Sequence, residues 1–156
     1  MRRWKHSWRR RRKLEQILSL IGLARKAGRV AVGEESTGAA ARDKKARLLL
    51  VAADAADSSS RRASVFAESG KCPLLTVALT KAELGHALGY ADVAMLAVTD
   101  FGFAAAIAGK LASRDEAAYG ETARHLAALS QRARKRRQKK LRRSAGTRPE
   151  KGRKTT

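Results

Sequence analysis

Lys and Arg crowd both ends of this chain, and at that density their chemistry is phosphate binding. Residues 1–13 hold eight of them, including Arg9, Arg10, Arg11, Arg12 and Lys13, and no acid. Residues 132–156 hold thirteen against one acid, Glu150. The two ends therefore carry +20 of the formal +21, while residues 14–131 are near balance with fourteen basic and thirteen acidic side chains. A neutral body with flexible cationic arms suits a polyanion whose closely spaced phosphates release counterions on contact. A merely solubilising tail would not need so lopsided a balance. Trp4 and Trp8 lie four apart among these cations, on one face if the arm is helical. Indoles so placed stack on unpaired bases, worth about 1–3 kcal/mol per base. Docking on the body is the equal alternative, and membrane contact ranks lower because the two rings are the only apolar surface there.

No other set of side chains has the spacing for chemistry. His6, His86 and His125 fall in different segments without ligand spacing. Cys72 and His86 are fourteen residues apart, and nothing beyond that supports a nucleophilic pair. No glycine pattern matches a phosphate-cradling nucleotide loop, and capping and solvation account for Asp54 and Asp57. The expectation is a protein that is not an enzyme and takes no cofactor and no metal. A single cysteine excludes an intramolecular disulfide framework and fits a reduced thiol in the cytoplasm, the expected location. The N-terminus lacks the apolar stretch of a secretory signal and shares only its Arg-rich, acid-poor composition with a mitochondrial presequence. Leu48–Ala53 and Phe103–Ala108 are core-sized rather than membrane-sized apolar runs, so no membrane partner is expected.

The body that positions these ends alternates helix and strand. Leu14, Ile17, Leu18 and Ile21 follow helical spacing, and Gly28 stops that helix. Arg29–Val32 reads as a strand, and Gly33 opens a second helix with Glu34 and Glu35 at its positive end. Arg47–Ala53 is a strand buried on both faces. Asp57 or Ser58 caps a helix over Ser59–Ser69, and Pro73 opens the strand Leu74–Leu79. Thr80 and Glu83 form a capping box, Val93–Thr99 is the fourth strand, and Asp100 caps Phe101–Leu111. A further box at Ser113–Glu116 starts a sixth helix with a weak stripe of Leu126, Leu129 and Ala133. Beyond Gln131 charge density forbids packing, and Gly146–Thr156 is expected to be disordered. Such alternation argues an α/β fold with one central sheet covered on both faces. The predicted core includes Leu18, Ile21, Leu49, Val51, Leu75, Val77, Leu96, Val98 and Ile107. The domain boundaries read as a basic arm over 1–13, a folded domain over 14–112 and a basic tail, helical then disordered, over 113–156, so that disordered or helical basic ends flank the fold.

Several segments together carry a family resemblance. LSLIGLARKAGRVAV at Leu18–Val32 followed by GEEST at Gly33–Thr37, ARLLLVAAD at Ala46–Asp54, TKAELGHALG at Thr80–Gly89 and VAMLAVTDFGFAAAI at Val93–Ile107 resemble the L7Ae superfamily of ribosomal-type RNA-binding proteins. The small bacterial YlxQ-type branch is the nearest likeness. The resemblance spans about residues 14–112 and leaves both ends uncovered. It implies a three-layer α/β/α sandwich with a mixed four-stranded sheet, and binding of structured RNA, in the best-known members a kink-turn. It also implies an RNA-binding surface made of Arg25, Lys26, Arg29, Gly33, Glu34, Glu35, Ser36 and Thr37. Kink-turn readers carry an Asn-Glu pair and a later lysine, where this chain has Glu35, Ser36 and Ala39. An acid in place of an amide loses a donor and repels phosphate. The second recognition loop, Gly89–Val93, is short and carries Tyr90 and Asp92 in place of an apolar cap.

The reading is a non-enzymatic RNA-binding protein associated with the ribosome, its precursor RNA or another structured RNA, with ribosomal proteins as further partners. The core orients and the basic ends add phosphate affinity. The rival readings are a protein-interaction module whose tails hold nearby nucleic acid, and sequence-independent DNA binding.

Overall fold

The computed structural model describes residues 2–147, with side chains for residues 8–146. Its ten elements are α1 (Arg2–Lys26), β1 (Val30–Val32), α2 (Gly33–Arg42), β2 (Leu48–Val51), α3 (Asp57–Gly70), β3 (Leu74–Thr76), α4 (Lys81–Leu88), β4 (Met95–Val98), α5 (Phe101–Arg114) and α6 (Glu116–Thr147).

The N-terminal arm is not a separate flexible segment, because α1 runs unbroken through it for 25 residues. Arg, Lys and Leu are good helix formers and no Pro or Gly interrupts the arm, so the amphipathic helix extends backward from Leu14. At the junction Lys13 Nζ donates to the Ser113 carbonyl at 3.0 Å, satisfying the C-terminal end of α5. The other end of α1 closes on Gly28, at φ +72°, with the Arg29 N–H on the Ala24 carbonyl at 2.9 Å.

The sheet order is β1-β4-β2-β3, with β4 antiparallel to both neighbours and β2 parallel to β3. β2 and β4 are buried along their whole length, as their continuous apolar runs require. Alternate residues serve opposite faces. Leu48, Leu50, Leu96 and Val98 join Ile17 and Ile21 of α1, Leu84 of α4, Ile107 of α5 and Leu126 of α6. On the other face Leu49 and Ala97 join Ala40 of α2, while Val51 and Met95 join Ala63 of α3. The result is the mixed three-layer α/β/α sandwich. Of the predicted core, Leu18 is only partly buried, and its neighbour Ile17 takes the interior position.

Two predicted caps form as expected. Thr80 and Glu83 complete a capping box, and Asp100 Oδ2 accepts from the Phe103 N–H at 3.0 Å. Two others shift. The N-cap of α3 is Ala56, which leaves Asp57 in the first turn, and α6 is capped by Asp115, whose Oδ1 accepts from the Ala118 N–H at 3.2 Å. Ser113 instead turns back to donate to the Lys110 carbonyl.

The packed body also extends past residue 112. Tyr119, Ala123 and Leu126 of α6 pack into the main core, so the first turns of α6 belong to the domain rather than to a tail. The helix then continues, exposed for most of its length, to Thr147. The disorder expected for residues 146–156 falls almost wholly outside the described residues. Among those described, no helix is long and apolar enough to cross a membrane.

Candidate nucleic-acid interface

β1 ends at Val32, paired with Leu96 near the start of β4, so the turn into α2 and the Gly89–Val93 loop share one end of the sheet. Gly33 makes the turn at φ +87°, a conformation that side chains with a Cβ rarely adopt. The extended N-cap Val32 has no side chain able to accept from the opening N–H groups of α2. A helix start of this kind offers N–H donors and a positive dipole to an anion.

The predicted site residues separate into groups. Glu35 and Ser36 are exposed on the first turn of α2. Glu34 is held by an ion pair with Arg62 of α3. Thr37 points the other way: it is fully buried and its hydroxyl has no partner among the described residues, so it is not presented to a surface ligand. Lys26 is exposed in the last turn of α1. Arg29 is also exposed, but it lies at the far end of β1 from Gly33, roughly 13 Å of extended chain away. There its carbonyl accepts from the Thr99 N–H at 2.9 Å.

Arg25 links the two predicted recognition segments. Its Nη2 donates to Tyr90 Oη at 3.1 Å, and its guanidinium carbon lies 5.3 Å from the Tyr90 ring centroid. The loop lies tight on α4, with the Tyr90 N–H on the Gly85 carbonyl at 2.8 Å. A Cβ at Gly85 would fall 2.7 Å from the carbonyl oxygens of both Tyr90 and Ala91, so only glycine fits.

Sequence reasoning missed the contacts made across long separations. Arg47, at the entrance to β2, stacks 4.4 Å from the Phe101 ring centroid, and only its charge beside an apolar run marked it. Tyr119 Oη donates to the Thr76 carbonyl at 2.6 Å; burial first, then the nearby Asp115 carboxylate, raises its pKa, against an opposing effect of Arg114. Trp8 is 55% exposed, with the Arg12 guanidinium 5.3 Å from its ring, so it is not docked on the body. The side chain of Trp4 lies outside those described.

The rejected catalytic readings have structural reasons. Cys72 packs on the α2–α3 side of the sheet, whereas His86 is on α4 across it. Burial also raises the Cys72 thiol pKa, which keeps it in the weakly nucleophilic form. Asp54 Oδ1 accepts from the Lys81 N–H at 2.8 Å and so anchors α4. No group of three or more metal-ligating side chains occurs among the described residues.

Residues 15–108 match the ribosomal protein L7Ae/L30e/S12e/Gadd45 family. Among solved structures, a protein of unknown function from Bacillus halodurans C is 27% identical with a TM-score of 0.56, over 61% of this chain and 95% of that one. A 15.5 kD RNA binding protein of Giardia lamblia is 19% identical with a TM-score of 0.53, over 65% of this chain and 89% of that one, a likeness of fold. No curated protein matches the sequence significantly.

Proposed function

The chain belongs to the ribosomal protein L7Ae/L30e/S12e/Gadd45 family, and from that premise we propose that it is a non-enzymatic protein that binds structured RNA. The observation that carries the reading is the start of α2, uncapped by any side chain of Val32 and set at the same sheet end as the Tyr90 loop. Backbone N–H groups there meet phosphate or base edges, and Arg25, stacked on Tyr90, adds positive charge beside the loop. Ribosomal RNA or its precursor, beside ribosomal proteins in the cytoplasm, is the setting this reading favours. The basic helices add affinity without sequence preference, as phosphate contacts do.

The kink-turn pair is missing from this surface. Glu35 is exposed where an amide donor would serve, Ser36 stands in place of the acid, and Ala39 supplies no cation. The wild-type chain is therefore expected to prefer a kink-turn over an equal-length duplex by no more than about tenfold, or 1.4 kcal/mol. Glu35→Asn, Ser36→Glu and Ala39→Lys together raise that preference. A competition titration against intact kink-turn, mutated kink-turn and duplex at one salt concentration measures it. Strong wild-type selection of the kink-turn would overturn the residue argument, and no affinity for any of the RNAs would overturn the RNA reading.

A further inference from the structure

α5 sets where the two basic helices leave the body. It begins at Phe101, just after β4, and ends at Arg114, about 20 Å away at 1.5 Å per residue. α6 returns beside it, from Asp115 back to Ser130, which lies with Phe101 and Gly102. The N-terminal half of α1 therefore departs at the Arg114 end, where Lys13 bonds Ser113, and the C-terminal half of α6 departs at the Phe101 end.

Each departure point is a cationic groove. At one, Arg9, Arg10, Lys13 and Arg114 surround Tyr119. At the other, Arg134 and Arg137 face Phe101, on whose ring Arg47 is stacked. One acid lies in each groove, and each is already committed to a helix start: Asp115 to the Ala118 N–H and Asp100 to the Phe103 N–H. Together with these groove residues, residues 1–13 carry eight Lys/Arg and residues 132–147 carry nine, with no acid in either stretch.

We propose that the protein bridges two separate RNA duplexes, one on each basic helix. The inference rests on the RNA-binding reading and adds a second, independent hold. Each extension carries enough cations for several phosphate contacts, and each such contact releases counterions and adds affinity independent of sequence. Helical segments are stiff spacers, so neither extension folds back to share the other's phosphates.

The test uses the full chain with two duplexes of about 16 base pairs and unrelated sequence, one carrying a donor dye and the other an acceptor. Energy transfer reads bridging, particle mass reads the composition, and a titration with one duplex reads simple binding. The expected result is a complex of one chain with two duplexes at about 100 mM salt, lost at high salt. Arg9→Gln with Arg10→Gln, or Arg134→Gln with Arg137→Gln, should each cut energy transfer about tenfold while one duplex is still bound. Bridging that persists in both variants overturns the proposal, as does a bridged particle containing two chains, or binding that never exceeds one duplex. Failure to bind even a single duplex overturns the RNA reading together with it.

Discussion

Tyr119, near the start of α6, donates its phenolic hydrogen to the carbonyl of Thr76, 43 residues earlier at the end of β3. One hydrogen bond thus fastens the last helix to the edge strand of the sheet. Tyr119→Phe should lower stability by about 0.5–1.5 kcal/mol, read by urea unfolding at neutral pH. The parent should also show a pH dependence that the variant lacks. The folded-state pKa is raised above 10.0, so the contribution is full below that value. It is lost as pH rises toward the folded pKa, because the unfolded chain releases the proton first. Equal loss of stability in both proteins between neutral and alkaline pH would show that the phenol does not titrate as the contact requires.

Leu126 is fully buried in the main core, on the helix that packs along α5. Leu126→Ala should cost about 2–5 kcal/mol, as a core truncation does. A domain ending near residue 112 would leave this position indifferent, so an unchanged melting temperature would restore that shorter boundary.

Gly85 is where the Gly89–Val93 loop, proposed here to face RNA, meets α4. Gly85→Ala places a methyl group against two backbone oxygens and should cost about 1–3 kcal/mol. It should also displace Tyr90 and weaken RNA binding at temperatures where the body remains folded. The control is Tyr90→Phe, which keeps the ring beside Arg25 and removes only the 3.1 Å hydrogen bond. If Gly85→Ala binds RNA as tightly as the parent does, the loop takes no part in the interface.

Thr37 offers a change in the opposite direction. Its buried hydroxyl has no partner among the described residues, and Val has nearly the same shape. Thr37→Val should be neutral or stabilising by up to about 1–3 kcal/mol, with RNA affinity unaltered. A clear loss of RNA affinity at unchanged stability would return Thr37 to the interface.

Local interactions were the legible ones. The Thr80–Glu83 box and the Asp100 cap bring together residues three apart, and β2 and β4 are marked by their own apolar runs. Contacts across the chain were not legible: Arg25 meets Tyr90 across 65 positions and Tyr119 meets Thr76 across 43. Their partners are set by sheet order and helix packing, which no window of sequence contains. The site was split for the same reason. Arg29 and Gly33 are close in sequence, but a strand holds them at opposite ends. Thr37 follows Ser36 directly, yet one step along a helix turns it inward. The basic ends were legible only in part, because dense charge favours neither disorder nor helix and left both open, whereas the chain continues as helix on each side.

The unbroken course of α1 changes what it costs the chain to settle on a ligand. A structureless arm of that length would give up about 1–2 kcal/mol of backbone freedom for each residue it ordered on contact. Here the arm extends a helix whose later turns bury Ile17 and Ile21, and Lys13 anchors the point of emergence. Much of that freedom is gone once the body folds, so more of each phosphate contact remains as affinity. Ordering before encounter also predicts little added helical signal on binding, in contrast to the gain a disordered arm would produce.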